Sequence, residues 1–155
     1  MSAKNISKAG LMASLYIVLT FITNMFGLAN GAIQIRISEA LTILPAVMPT
    51  AIPGVTIGCL ISNIITGCTP VDIVFGTLAT LIGAIGTYVL RNNKYLAVIP
   101  PIVANTIIVP VVLMYSTGTQ LNFWFCAFTV CIGEIISCAI LGLFLLKQIE
   151  KRNII

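Results

Sequence analysis

"SEALTILPAVMPTAIPGVTIGCLISNIITG", residues 38–67, is the stretch on which the fold turns. It carries one charge, Glu39, and is broken by Pro45, Pro49 and Pro53. A proline inside a helix removes a backbone donor and clashes with the preceding turn. A single helix through all three prolines is therefore a poor solution. The stretch crosses a membrane either as one broken passage or as two short ones, residues 39–48 and 54–67.

That a membrane is involved follows from composition. The 155 residues are 59% apolar and 8% charged, with a mean hydropathy of +1.11. Soluble domains carry about 25% charged residues, and eight basic and four acidic side chains cannot cover one water-soluble core. The chain reads as an all-α integral membrane protein with a single membrane domain, residues 1–155. A spanning helix needs roughly 20 apolar residues, so the length allows about six. Beyond 38–67, apolar runs lie near 9–28, 71–90, 95–115 and 122–147. Lys4 and Lys8 before the first run imitate a signal peptide. The run is too long for one, however, and is expected to remain as the first span. The net charge of +4 is scattered and forms no basic stripe, which argues against nucleic-acid binding.

Basic residues concentrate on the cytoplasmic side of membrane proteins. Six passages put Lys4, Lys8, Arg91, Lys94, Lys147, Lys151 and Arg152 together and leave Arg36 alone opposite; five passages split them six to two. Six spans with both termini cytoplasmic is the expected topology. Arg36 then opposes the orientation signal, which marks it for function. Before it, Ile33, Ile35 and Ile37 alternate with Gln34 and Arg36, a period-2 pattern that predicts an extended segment. Ser38 is a plausible N-cap, with Glu39 in the first turn where a carboxylate suits the helix dipole. Pro53 fits the first position of the following helix.

Small residues recur every third or fourth position at Gly54, Gly58, Ser62 and Thr66, and at Gly76, Thr80, Gly83 and Thr87. Such stripes let helix backbones approach closely in lipid. Ala9 and Ala13, beside Gly10 and Ser14, form a shorter one near the N-terminus, where either internal packing or docking to another membrane protein would use it. Cys59, Cys68, Cys126, Cys131 and Cys138 are odd in number, form no CxxC and have no His to complete a metal site. They are expected to pack as small apolar residues, and no metal or other cofactor is predicted.

Polar groups within spans are more informative. Glu134 lies about 12 residues, roughly 18 Å of rise, into the last span. An ionisable group at that depth costs about 3 kcal/mol on insertion scales and is a functional candidate. It would otherwise be a protonated interhelical hydrogen-bonding group or a partner of Arg36. Asn105 and Asn63 are either interhelical hydrogen-bonding groups or ligand contacts, and Asp72 is either a helix N-terminal charge or part of a site. Tyr115, Phe123 and Trp124 suit an interfacial aromatic belt. Arg36, Glu39, Asn63, Asp72, Asn105 and Glu134 all fall on the outer half or mid-depth, whereas the inner half is apolar. That asymmetry describes a pocket open outward, and no channel.

"RISEAL" (36–41), "PGVTIGCLISNII" (53–65), "DIVFGTLATLIGAIGTYVLR" (72–91) and "GEIISCAILGLFLL" (133–146) resemble the QueT family, over nearly the whole chain. QueT proteins are substrate-binding S-components of energy-coupling factor (ECF) transporters. The resemblance implies six helices, cytoplasmic termini and a multi-pass place in a bacterial cell membrane. It implies a solute site beneath the loop after the first helix. It also implies partners: a transmembrane coupling protein, which Ala9 and Ala13 would contact, and two cytoplasmic ATPases. The chain itself has no Walker A sequence, so ATP hydrolysis would belong to those partners. The implied solute is a queuosine precursor, meaning a 7-deazaguanine base such as queuine or its aminomethyl and cyano relatives. One carboxylate can accept the adjacent N–H and amine of a guanine-like edge, Arg or Asn can donate to its carbonyl, and a second carboxylate suits a cationic substituent. Arg36, Glu39, Asn63, Asp72, Asn105 and Glu134 are the candidate solute-binding residues. An S-component for another vitamin or nucleobase has the same features. A small intramembrane enzyme would differ, but the chain lacks His, a spaced acid pair and a Ser or Cys with a nearby base. No catalytic residue is assigned.

Overall fold

The structure, a computed structural model, describes residues 2–27, 35–117 and 122–152. Every regular element among them is helical. Helix α1 spans Ala3–Met25, a 3₁₀ helix Ile37–Ala46, α2 Ala51–Ile65, α3 Pro70–Val89, the single turn α4 Lys94–Ala97 and α5 Ile99–Thr117. Helix α6, Phe123–Glu134, continues through a π segment, Ile135–Leu141, into α7, Gly142–Lys151.

Four stretches are long and apolar enough to cross a bilayer: Ala3–Met25, Pro70–Val89, Lys94–Tyr115 and Phe123–Lys151. The 3₁₀ helix and α2 have 10 and 15 residues. At about 2.0 and 1.5 Å per residue each rises roughly 20 Å, short of a hydrocarbon core of about 30 Å. Leu11, Val18 and Phe21 on α1, Val74 and Ile82 on α3, Ile107 on α5 and Phe128 on α6 face outward. Apolar surface on this scale is stable against lipid and would be an aggregation liability in water. The chain is a multi-pass membrane protein.

The shortest apolar segment is the best buried. Ser38 through Pro45 of the 3₁₀ helix are all enclosed, and Leu41, Ile43, Leu44 and Met48 pack with Tyr16, Val55 and Leu146. Pro45 cannot donate the bond that an α-helix would direct to the Leu41 carbonyl, which favours the tighter winding. The segment begins at Ile37, after an extended Arg36 (φ −110°, ψ 96°). Ser38 is therefore inside the helix and is not its cap; its oxygen accepts a hydrogen bond from Thr20 Oγ1 at 2.8 Å. Most of the alternating run before it, including Ile33 and Gln34, lies outside the described residues. Helix α2 starts at Ala51, so Pro53 falls at its third position.

The small-residue stripes are internal seams. A Cβ on Gly58 would stand 2.7 Å from Tyr16 Cβ and 3.0 Å from the Ala13 carbonyl, and one on Gly54 would stand 2.8 Å from the Ala9 carbonyl. Only glycine lets α2 lie this close to α1. Gly83 does the same for α3 and α5, where an added Cβ would meet Pro101 Cα at 2.7 Å. Between α2 and α3 the chain turns at Gly67 with φ 73°, a left-handed conformation that favours glycine.

Candidate functional site

The 3₁₀ helix carries Glu39 into the interior, where it is 1% exposed. Opposite it, α6 ends at Glu134, also buried. One oxygen of each and the Cys138 thiol lie within 4.8 Å of one another. Two ionised carboxylates at that separation repel by about 3–4 kcal/mol at an effective dielectric of about 20, so their neighbours must supply donors. Tyr16, from α1, donates its hydroxyl to Glu39 Oε1. The Cys138 thiol, one turn beyond Glu134 and inside the π segment, lies 3.2 Å from Glu134 Oε2 and 3.5 Å from the Glu39 carbonyl. Thr42 Oγ1 donates to that same carbonyl at 2.6 Å.

Asn105 on α5 is buried beside both carboxylates. The amide lies near enough to interact with both acids, yet its nitrogen and Glu39 Oε2 make no hydrogen bond of good distance and angle among the described residues. Buried polar groups are normally satisfied, and an orphan calls for an explanation. A ligand that donates to the carboxylate and accepts from the amide would satisfy both.

Arg36 faces Glu39 and Glu134 electrostatically but makes no ion pair with either; among the described residues the ion pair is Lys94–Glu150, which joins α4 to α7. The alternative in which Arg36 is consumed by a direct pair with Glu134 is not realised. Its side chain instead lines a polar cavity of about 130 Å³ with Thr20, Thr23, Asn24, Asn63, Thr66 and Cys68. A smaller recess continues from Arg36 and Asn63 to Asp72. The guanidinium thus stands between this cavity and the acid pair.

Of the six residues expected at a site, Arg36, Glu39, Asn105 and Glu134 converge. Asn63 lines the polar cavity, its Nδ2 3.6 Å from Cys59 Sγ. Asp72 is engaged as a helix cap: Thr69 Oγ1 donates to Asp72 Oδ2 at 2.6 Å, and the Asp72 amide donates back to Thr69 Oγ1 at 3.3 Å. Ala9 and Ala13 lie along Gly54 and Gly58 of α2, Ala13 being buried, while Gly10 and Ser14 beside them are exposed. Tyr16 is a residue the sequence did not single out, and Cys138, expected to pack as a small apolar residue, instead hydrogen-bonds Glu134. Tyr16 continues the Ala9–Ala13 face of α1 by three positions, and Cys138 follows Glu134 by four, so helical spacing from residues already in hand reaches both.

Glu39, Glu134 and Cys138 are donors of the kinds that hold cations. Here the thiol is hydrogen-bonded to Glu134 and the guanidinium faces the set. A family model described as QueT transporter matches residues 6–151. The chain belongs to that family. It is a member of a transporter family and not of an enzyme family. Over 72 residues, 46% of this chain, it is 39% identical to the protein named "Queuosine precursor transporter QueT" from Lactococcus lactis subsp. cremoris (strain MG1363). That match covers 42% of the relative, so the chain spans about two fifths of the length of the curated relative it matches. No solved structure matches the chain.

Proposed function

We propose that this QueT-family protein is the solute-binding S-component of an ECF transporter, and that its solute is a queuosine precursor, a 7-deazaguanine base. The observation that carries this is the convergence of Glu39 and Arg36 from the 3₁₀ segment, Glu134 from α6 and Asn105 from α5 around two buried polar atoms that have no hydrogen bond among the described residues. A guanine-like edge presents N–H donors to one carboxylate and a carbonyl to Arg36 or Asn105. The second carboxylate leaves a surplus negative charge for a ligand amine, which favours aminomethyl or queuine-like bases over a cyano base. Asn63 and Asp72 line the route in. The relative's name supports the same solute class.

Residues 1–155 form one membrane domain of six passages with both termini cytoplasmic. The 3₁₀ helix and α2 are the two short central passages, supported by the seven-to-one division of basic residues. The cytoplasmic half of α1 is offered to a transmembrane coupling protein on the side where Gly10 and Ser14 stay exposed, beside the Ala9–Ala13 seam with α2, and two ATPases complete the module.

The test is to identify the small molecule that co-purifies with the detergent-solubilised chain and to titrate 7-aminomethyl-7-deazaguanine by calorimetry. Binding of the aminomethyl base, and co-purification with two ATPases, is the expected result. A flavin, folate or other vitamin in the site, with no binding of any deazaguanine, would overturn the solute assignment.

A further inference from the structure

Glu39 is the most deeply buried acid in the cluster, and the hydroxyl of Tyr16 is the group that pins one of its oxygens. Tyr16 is itself 1% exposed, on the face of α1 that also carries Ala9, Ala13 and Thr20. That face is held at three heights. Ala9 and Met12 meet Gly54, Ala13 and Tyr16 meet Gly58, and Thr20 Oγ1 donates to Ser38 Oγ one turn above the Tyr16–Glu39 bond. Two successive hydroxyls of α1 therefore bind two successive residues of the 3₁₀ helix. With Oε1 occupied by Tyr16, Oε2 is the oxygen that makes no hydrogen bond of good geometry among the described residues, with the Asn105 amide nearby.

We propose that Tyr16 is a positioning residue of the solute site: its hydroxyl turns the Glu39 carboxylate so that Oε2 is presented to the ligand. Because Gly58 sets how closely Tyr16 approaches, solute affinity depends on the seating of α1 against α2. This rests on the solute-binding reading above, and adds to it a residue that touches no ligand. A helix that can be drawn away from α2 at Gly54 and Gly58 would carry the Tyr16 hydroxyl off Glu39 and loosen the site.

The experiment is a double-mutant cycle on the full detergent-solubilised chain, with 7-aminomethyl-7-deazaguanine as the probe. Tyr16→Phe should weaken binding on the order of tenfold or more, the worth of a hydrogen bond to a charged group. In a Glu39→Gln background the same change should cost little, since the carboxylate it positions is gone. A purely structural Tyr16 would show the full loss in both backgrounds, and that result overturns the proposal, as does an unchanged affinity in Tyr16→Phe alone. Gly58→Ala, which displaces α1 without altering either side chain, should reproduce the loss; wild-type affinity in that variant also overturns it. If the wild-type chain binds no deazaguanine, the solute reading fails and the infrared carboxylate band decides the positioning role. The band removed by Glu39→Gln should shift in Tyr16→Phe, and a band that stays in place refutes the proposal.

Discussion

Glu134→Gln separates a ligand-binding acid from a structural one, because the two roles move stability and affinity in opposite directions. Glutamine keeps the side-chain carbonyl, so the Cys138 thiol, 3.2 Å from Glu134 Oε2, retains an acceptor. The substitution removes one of two acids whose nearest oxygens lie within 4.8 Å, and when both are ionised they repel by about 3–4 kcal/mol before Arg36 is counted. If about 1 kcal/mol of that reaches the folding free energy, the thermal midpoint rises by about 2–4 °C for a chain of this size. Binding should move the other way. A carboxylate lost from a guanine-like edge costs about 1.5–3 kcal/mol per charged hydrogen bond, which is roughly a 10- to 150-fold weaker affinity. The assay pairs calorimetric titration of 7-aminomethyl-7-deazaguanine with thermal unfolding of the same detergent preparation. A variant that binds like wild type removes Glu134 from the site. One that unfolds earlier and binds weakly assigns it to the scaffold.

Arg36→Gln should lower affinity for the same base by about tenfold or more while the thermal midpoint holds, since Arg36 makes no ion pair with either acid; equal loss of stability would show that it anchors the fold. Asp72→Ala should cost about 0.5–2 kcal/mol of stability through the Thr69 capping box and leave base binding nearly intact, an expectation that a collapse of calorimetric affinity would defeat. Gly83→Ala should destabilise by about 1–3 kcal/mol, because its Cβ would meet the Pro101 backbone at 2.7 Å; an unchanged unfolding midpoint would mean that the α3–α5 seam yields freely.

Membrane class and helical content were legible from composition, because a chain with twelve charges and a mean hydropathy of +1.11 has few other folds open to it. The glycine stripes were legible too, since period-four small residues in lipid have one cheap use, close packing. What the pattern could not supply was handedness of contact. Ala9 and Ala13 read equally well as an outer docking face or an inner seam, and Gly54 and Gly58 place them along the inner one. For Asp72 the sequence left two roles open, and the Thr69 box fills one of them. Tyr16 escaped notice because one hydroxyl in an apolar helix has no periodic signature; its partner Glu39 is 23 residues away.

The site also depends on two departures from the α-helix that no periodicity announces. A 3₁₀ helix advances about 2.0 Å per residue, so Ser38–Pro45 threads a narrow interior and delivers Glu39 to its centre from a segment too short to cross as an α-helix. In the last span, the π segment at Ile135–Leu141 widens the turn directly after Glu134 and contains Cys138. Each irregular winding sits beside one acid of the pair. Regular helices of the same sequence would shift the side chains that follow each acid by a fraction of a turn, and Cys138 would no longer reach both Glu134 and the Glu39 carbonyl. Pro45, one of the prolines that make residues 38–67 an unpromising membrane span, thus also favours the winding that sets the buried Glu39 carboxylate beside Glu134.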